Sequence, residues 1–205
     1  MILLQAQGLR FGYPGVPLFQ GLSFVLPSGL SLVRGGDGRG KTTLLRMLAG
    51  ELPLQAGGLR LQGSALGAGP QALRQLVHLA GLGSEAYAQL DVASLPVALR
   101  AQWPAFDAAR FDTLVDGLGL RPHLAKQGFM LSTGSWRKLW MAVALAAGAP
   151  VTLIDDPFGA LDRSSIEFLR AQFLAAAQVA DRALVFTAWE TPPGLPLAAV
   201  VDLGD

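Results

Sequence analysis

Eight consecutive residues, Gly35, Gly36, Asp37, Gly38, Arg39, Gly40, Lys41 and Thr42, fit the phosphate-binding spacing G-x-x-x-x-G-K-[ST]. Their glycines can take backbone angles closed to other residues, so successive N–H groups can turn inward and cradle β- and γ-phosphate oxygens. Lys41, one of three lysines in the chain, brings a mobile ammonium to the same oxygens. The Thr42 hydroxyl is placed to ligate Mg2+, and Thr43 completes the set of residues that would hold a nucleotide.

A pair of carboxylates follows far downstream, in Val151-Thr-Leu-Ile-Asp155-Asp156. Four strand-compatible residues ending in two acids place those acids at the carboxyl edge of a parallel sheet, where ligands bind. Asp155 is then a candidate magnesium residue, directly or through water. Taken alone, the same acids read equally well as a strand end capping the next turn; the phosphate loop upstream favours the magnesium role.

The elements that must position these groups are legible as short patterns. Leu30–Val33 reads as a strand leading into the loop, and Leu44–Leu48 as the helix leaving it. Further strands are expected at Leu3–Leu9, Leu22–Leu26, Gly57–Gly63, Leu76–Ala80, Val151–Ile154 and Ala183–Thr187, with a turn around Gly67–Pro70. From about Val92 to Leu131 the pattern is helical; Trp136–Ala147 and Ser164–Ala177 are further helices. Strands alternating with helices imply an α/β fold with a mostly parallel sheet covered on both faces.

The composition narrows the function classes. At 205 residues the chain is one domain, or one domain with a subdomain. A net charge of +1 without a basic run favours neither nucleic acid nor a lipid head-group surface. Cysteine is absent, which removes disulfide and thiol chemistry. The stretch Leu139–Ile154 is free of charge, but Gly148 and Pro150 divide it into helix, turn and buried strand rather than a membrane span. Met1-Ile-Leu-Leu-Gln lacks the basic region and long apolar core of a signal peptide, so a cytoplasmic protein is expected. The apolar excess suits a surface that docks on a partner.

Between the loop and the acids lies Leu131-Ser-Thr-Gly-Ser135, ahead of an amphipathic helix with Arg137 and Lys138 in its first turn. By itself this reads as a helix cap, and Tyr13 by itself as a turn aromatic. At this point the chain resembles the ATP-binding cassette family, the nucleotide-binding subunits of ABC transporters, whose signature is L-S-G-G-Q. The parts come in the family's order over essentially the whole chain. Tyr13 stands where an adenine-stacking aromatic is found, and Ala160-Leu-Asp162 stands as the D-loop. Leu18–Phe24 and Gly40–Gly50 look like the small cassettes of the haem-exporter type used in cytochrome c maturation.

The resemblance implies a P-loop NTPase with an N-terminal antiparallel β subdomain and an inserted helical subdomain. Its ATP-binding core would span about 1–83 and 136–205, and its helical subdomain about 84–135. It implies ATP and Mg2+ as cofactors, transmembrane permease subunits as partners, and a dimer with a second cassette. Ser132 and the Gly134 backbone, with Asp162 nearby, would meet the nucleotide held by the other subunit, on the cytoplasmic face of the inner membrane. Lys41 would be catalytic as well as binding, and Asp156 would orient the attacking water.

Four departures from the family pattern concern hydrolysis. Asp156 replaces the glutamate that polarises water; one methylene shorter, its carboxylate falls short by about 1.5 Å, and misplacement by about 1 Å can cost 10²-fold in rate. The switch histidine is missing from Phe186-Thr-Ala-Trp189, where Ala188 has no polar side chain and the Trp189 indole only donates. Gly81-Leu-Gly83 stands where a glutamine is expected, with Gln89 several residues late. Thr133 and Ser135 replace Gly and Gln in the signature. Two outcomes follow: a slow ATP-driven motor, or an essentially non-hydrolytic regulatory cassette paired with an intact partner.

Overall fold

The computed structural model describes residues 1–65, 77–81 and 83–205. Its centre is a parallel sheet of β3 (Gly29–Arg34), β6 (Val77–Leu79), β7 (Val151–Ile154), β8 (Ala183–Ala188) and β9 (Leu197–Asp202), in the order β6-β7-β8-β3-β9. The pairs run in parallel register, with Val33 beside Thr187 and Ile154 beside Phe186. Because β3 and β7 flank β8, the loops leaving the carboxyl ends of all three converge on one edge.

Side chains alternate across this sheet as the strand period requires. Leu30, Leu32, Ile154, Leu184 and Phe186 enter one core with the helical region, while Val33, Val151, Leu153 and Val185 enter the other. Among the described residues the helices are α1 (Lys41–Leu48), α2 (Leu95–Leu99), α3 (Ala108–Gly117), α4 (Thr133–Ala146) and α5 (Arg163–Ala176); α1, α4 and α5 pack on the sheet strands, and α3 packs on α4. On one face Phe173 of α5 packs against Phe186 with ring centroids 5.3 Å apart, and Phe158 joins both rings. On the other, Leu44, Leu45 and Leu48 of α1 are fully buried with Leu3 and Leu9 of the second sheet.

That second sheet is antiparallel, in the order β2-β1-β4-β5, from β1 (Ile2–Tyr13), β2 (Val16–Pro27), β4 (Ala56–Leu61) and β5 (Ser64–Ala65). The short strands expected at Leu3–Leu9 and Leu22–Leu26 are the middles of twelve-residue strands; register shifts at Ala6/Leu9 and Phe11/Gly12 let each run past its glycines. The helical pattern over 92–131 is broken into α2, α3 and short 3-10 turns at Val92–Ser94, Arg121–His123 and Gly128–Met130. Pro96 and Pro122 each sit in a first turn, where a missing N–H costs little, and Gly119 takes φ +69° just past α3.

The strand β9 is not among those expected from the sequence, because Leu197-Ala-Ala-Val-Val-Asp is half exposed at the sheet edge and only Val201 is buried in it. The helix expected from Trp136 starts one turn earlier, at Thr133, because Ser132 caps it. The charge-free stretch 139–154 divides as expected into the end of α4, a turn and β7. The expected turn at Gly67–Pro70, and Leu76 of the expected strand, lie outside the described residues. Among the described residues no helix is long and apolar enough to cross a membrane.

Candidate functional site

The phosphate loop leaves β3 and enters α1 through Gly40, whose φ of +90° is closed to most side chains. A Cβ there would also lie 2.9 Å from the Phe19 ring, so glycine is required twice over. The loop is braced from behind: the Gly36 N–H donates to the Gly204 carbonyl at 2.9 Å, and Arg34 pairs with Asp202 at the end of β9. Lys41 folds back over the loop, its Nζ donating to the carbonyls of Gly35 at 2.6 Å and Gly36 at 2.8 Å.

Two hydroxyls and a carboxylate meet beside the loop. Thr42 Oγ1 donates to Asp155 Oδ2 at 2.6 Å, bringing the first residues of α1 to the end of β7. Thr187 Oγ1, fully buried on β8, donates to Asp155 Oδ1 at 2.6 Å and accepts from the Asp156 N–H at 2.8 Å. Asp155 is therefore held from both sides. Asp156 has φ +44°, a left-handed conformation that aspartate tolerates better than most residues. Its carboxylate lies over Gly159, where a Cβ would fall 2.0 Å from Oδ2, and the Arg137 guanidinium reaches its carbonyl.

These groups line an open cavity of about 590 Å³ that contains Tyr13, Asp37, Gly38, Gly40, Lys41, Thr42, Thr43, Asp155 and Asp156. Tyr13 is half exposed; its hydroxyl hydrogen-bonds with Thr43 Oγ1 at 3.3 Å and its ring stands edge-on to Phe11. Gly35, Gly36 and Arg39 back the loop rather than line this cavity. A smaller cavity of about 330 Å³ shares Thr42 and Asp155 and is lined by Gly81, Gly83 and Glu85, where the glutamine is missing. Gln89 is in neither; its carbonyl accepts from Gln127 Nε2.

The remaining expected residues lie outside both cavities. Ser132 caps α4, its Oγ accepting the Ser135 N–H at 3.2 Å and donating to Ser135 Oγ at 3.0 Å; Gly134 has open space around it. Asp162 caps α5 through the Ser165 N–H and pairs with Lys138. The Lys138 ammonium, then the Ser164 and Ser165 donors, hold the Asp162 carboxyl well below the usual carboxylate range.

Thr187 and Arg137 border the site without a role having been assigned to them from the sequence, and Trp189, noted there only as a donor beside the missing histidine, joins the cavity wall. A readable signal existed for Thr187, the one polar residue in the otherwise apolar strand Ala183–Ala188. Arg137 and Trp189 carry no such mark, since a basic residue in a first helical turn and an aromatic after a strand are common.

The donor set suits a hard divalent cation: a hydroxyl and a carboxylate oxygen 2.6 Å apart, with room for water and phosphate oxygens. Among the described residues no group of three or more His, Cys, Asp or Glu could hold a metal ion.

A strand, a glycine-rich loop and a helix N-terminus, with an acid at the end of a nearby parallel strand, define a P-loop nucleotide-binding domain. The arrangement superimposes with a TM-score of 0.77 on an ABC transporter ATP-binding protein from Pyrococcus furiosus, at 18% identity over 98% of this chain and 96% of that one. The structure of the ATP-binding subunit of another ABC transporter gives 0.76 at 21% identity, covering 90% of this chain and 79% of the other. The ABC transporter family profile matches residues 19–159. Cytochrome c biogenesis ATP-binding export protein CcmA of Paracoccus denitrificans is 32% identical over 100% of this chain and 90% of its own length. The CcmA protein of Rhodospirillum rubrum is 36% identical over 91% and 79%. Taurine import ATP-binding protein TauB of Escherichia coli is 36% identical over 78% of this chain and 63% of its own. The chain belongs to the ABC transporter family, and within it is an ATP-binding subunit.

Proposed function

We propose that the chain binds Mg-ATP between its phosphate loop and Asp155, hydrolyses it slowly, and so drives a separate transmembrane permease from the cytoplasmic face. The Thr42–Asp155–Thr187 arrangement carries this reading, because it fixes a carboxylate beside the loop with the Thr42 hydroxyl next to it, the two oxygen donors that suit a hard divalent cation. Tyr13 would stack on adenine. The N–H groups of residues 35–40 and the Lys41 ammonium would hold the phosphates. Thr42 and Asp155 would ligate Mg2+, which when bound neutralises phosphate charge and fixes its geometry. Asp156 would orient the attacking water.

A second cassette would complete the site. Ser132 and Gly134, carried at the end of the helical region 84–135, and Asp162 lie away from the chain's own cavity, which suits contact with a nucleotide on a partner cassette. The names of the two CcmA relatives support an export step serving cytochrome c biogenesis. A second reading, a regulatory cassette with little hydrolysis of its own, is favoured by the Asp156 carboxylate lying over Gly159 and by Ala188 in the cavity wall.

The test is equilibrium binding of Mg-ATP to the wild type and Lys41→Ala. Loss of a charge-assisted contact of about 1.5–3 kcal/mol weakens binding about 10- to 100-fold. Unchanged affinity contradicts the proposal.

A further inference from the structure

Two adjacent cations on α4 hold the two ends of one strained loop. Residues 155–162 connect β7 to α5. Among the described residues, three that are not glycine have positive φ, and two of them, Asp156 (+44°) and Ala160 (+55°), lie in this loop. Residues stay in that region only where their surroundings hold them, and such strain gathers at functional sites. At the start of the loop the Arg137 guanidinium donates to the Asp156 carbonyl, and lies 3.4 Å from both the Asp155 carbonyl and Asp156 Oδ2. At its end, Lys138 pairs with Asp162, the cap of α5. Both cations are partly buried, with side chains 33% and 18% exposed, while the carboxylates they meet, Asp156 and Asp162, are more open at 63% and 49%.

Arg137 is also five residues from Ser132, the cap of the same helix. A helix start that moves as a rigid unit moves Arg137 with it, and the loop that Arg137 grips contains strained residues able to settle into a second arrangement. We propose that Arg137 is a positioning residue for Asp156, the link by which engagement of Ser132 and Gly134 by a partner cassette's nucleotide sets the Asp156 carboxylate. The inference rests on the proposed ATPase function, since it presupposes that Ser132 and Gly134 meet a second nucleotide. All three contacts come from one terminal nitrogen, Arg137 Nη2; the rigid guanidinium plane holds that nitrogen in place, whereas a lysine ammonium swings on a flexible stem.

The full chain, as wild type, Arg137→Ala and Arg137→Lys, is compared by three measurements: amide hydrogen exchange over residues 155–162 with and without Mg-ATP, equilibrium Mg-ATP binding, and single-turnover hydrolysis. In Arg137→Ala, exchange in this loop rises at least about tenfold, the change on adding Mg-ATP disappears, and affinity stays within about threefold. Hydrolysis falls at least about tenfold, as loss of positioning requires. Arg137→Lys is intermediate in exchange and rate. Loop exchange identical to wild type overturns the inference, as does a loss of affinity large enough to explain the whole loss of rate. If Arg137→Ala does not fold, Arg137→Lys decides: faster loop exchange and slower hydrolysis than wild type support the inference, and loop exchange equal to wild type overturns it. If the wild type itself does not hydrolyse ATP, the ATPase function fails, while the exchange comparison still decides whether Arg137 sets the loop.

Discussion

Replacing Thr187 with valine nearly preserves the volume of a fully buried side chain while deleting one hydroxyl. That hydroxyl donates to Asp155 Oδ1 at 2.6 Å and accepts from the Asp156 N–H at 2.8 Å. A hydrogen bond to a charged acceptor contributes about 1.5–3 kcal/mol, and a buried N–H without an acceptor costs about 1–3 kcal/mol. The two losses share one atom and are not additive, so a net destabilisation of about 2–4 kcal/mol is expected. At this chain length that lowers Tm by about 4–16 °C. Serine keeps the hydroxyl and loses one methyl, a cost of about 1 kcal/mol. Urea unfolding of both variants measures the stabilities. Mg-ATP affinity, which depends on Asp155 being held, falls about tenfold in Thr187→Val and little in Thr187→Ser. A valine variant within about 0.5 kcal/mol of wild type, or no worse than serine, refutes the reasoning.

Asp156→Glu restores the missing methylene and raises single-turnover hydrolysis by about tenfold or more; an unchanged rate places the limitation elsewhere, with Ala188 the next candidate. Ala160→Gly relieves a left-handed alanine, which costs about 1–2 kcal/mol, against an entropy cost for glycine of about 0.5–1 kcal/mol. Urea unfolding should therefore show unchanged or slightly raised stability, and a clear loss contradicts the strain. His78 is buried against Trp103, and burial pushes its pKa down to about 4 from 6.5. It is neutral when folded and takes up a proton when unfolded, so its contribution to stability is lost as pH falls from 6.5 toward 4, by up to about 3 kcal/mol. Denaturant unfolding at several pH values, wild type against His78→Leu, should show that loss in the wild type alone; equal pH dependence in both rules it out.

Local sequence carried the loop well, because glycine spacing, Lys41 and Thr42 sit within eight residues and need little from the rest of the chain. Asp155 was legible for a related reason: four apolar residues ending in an acid mark a buried strand and its carboxyl edge together. The long strands β1 and β2 were partly hidden, because glycines and prolines read as breaks where bulges and sheet edges absorb them. The strand β9 was hidden by its small, half-exposed residues. Thr187 and Arg137 escaped for another reason. Their partners lie 32 and 19 residues away in sequence, and contact comes only when β7 pairs with β8 and α4 packs nearby. Conversely, Ser132, Gly134 and Asp162 were legible only through resemblance, since within one chain they do ordinary capping.

The most direct test of nucleotide binding with slow turnover is to incubate the purified protein with Mg2+ and labelled ATP, desalt it, and follow the retained nucleotide over time. Retained ATP that converts slowly to ADP is the expected result. No retained nucleotide contradicts binding at the phosphate loop, and ATP that persists unconverted contradicts hydrolysis, leaving the chain a regulatory cassette.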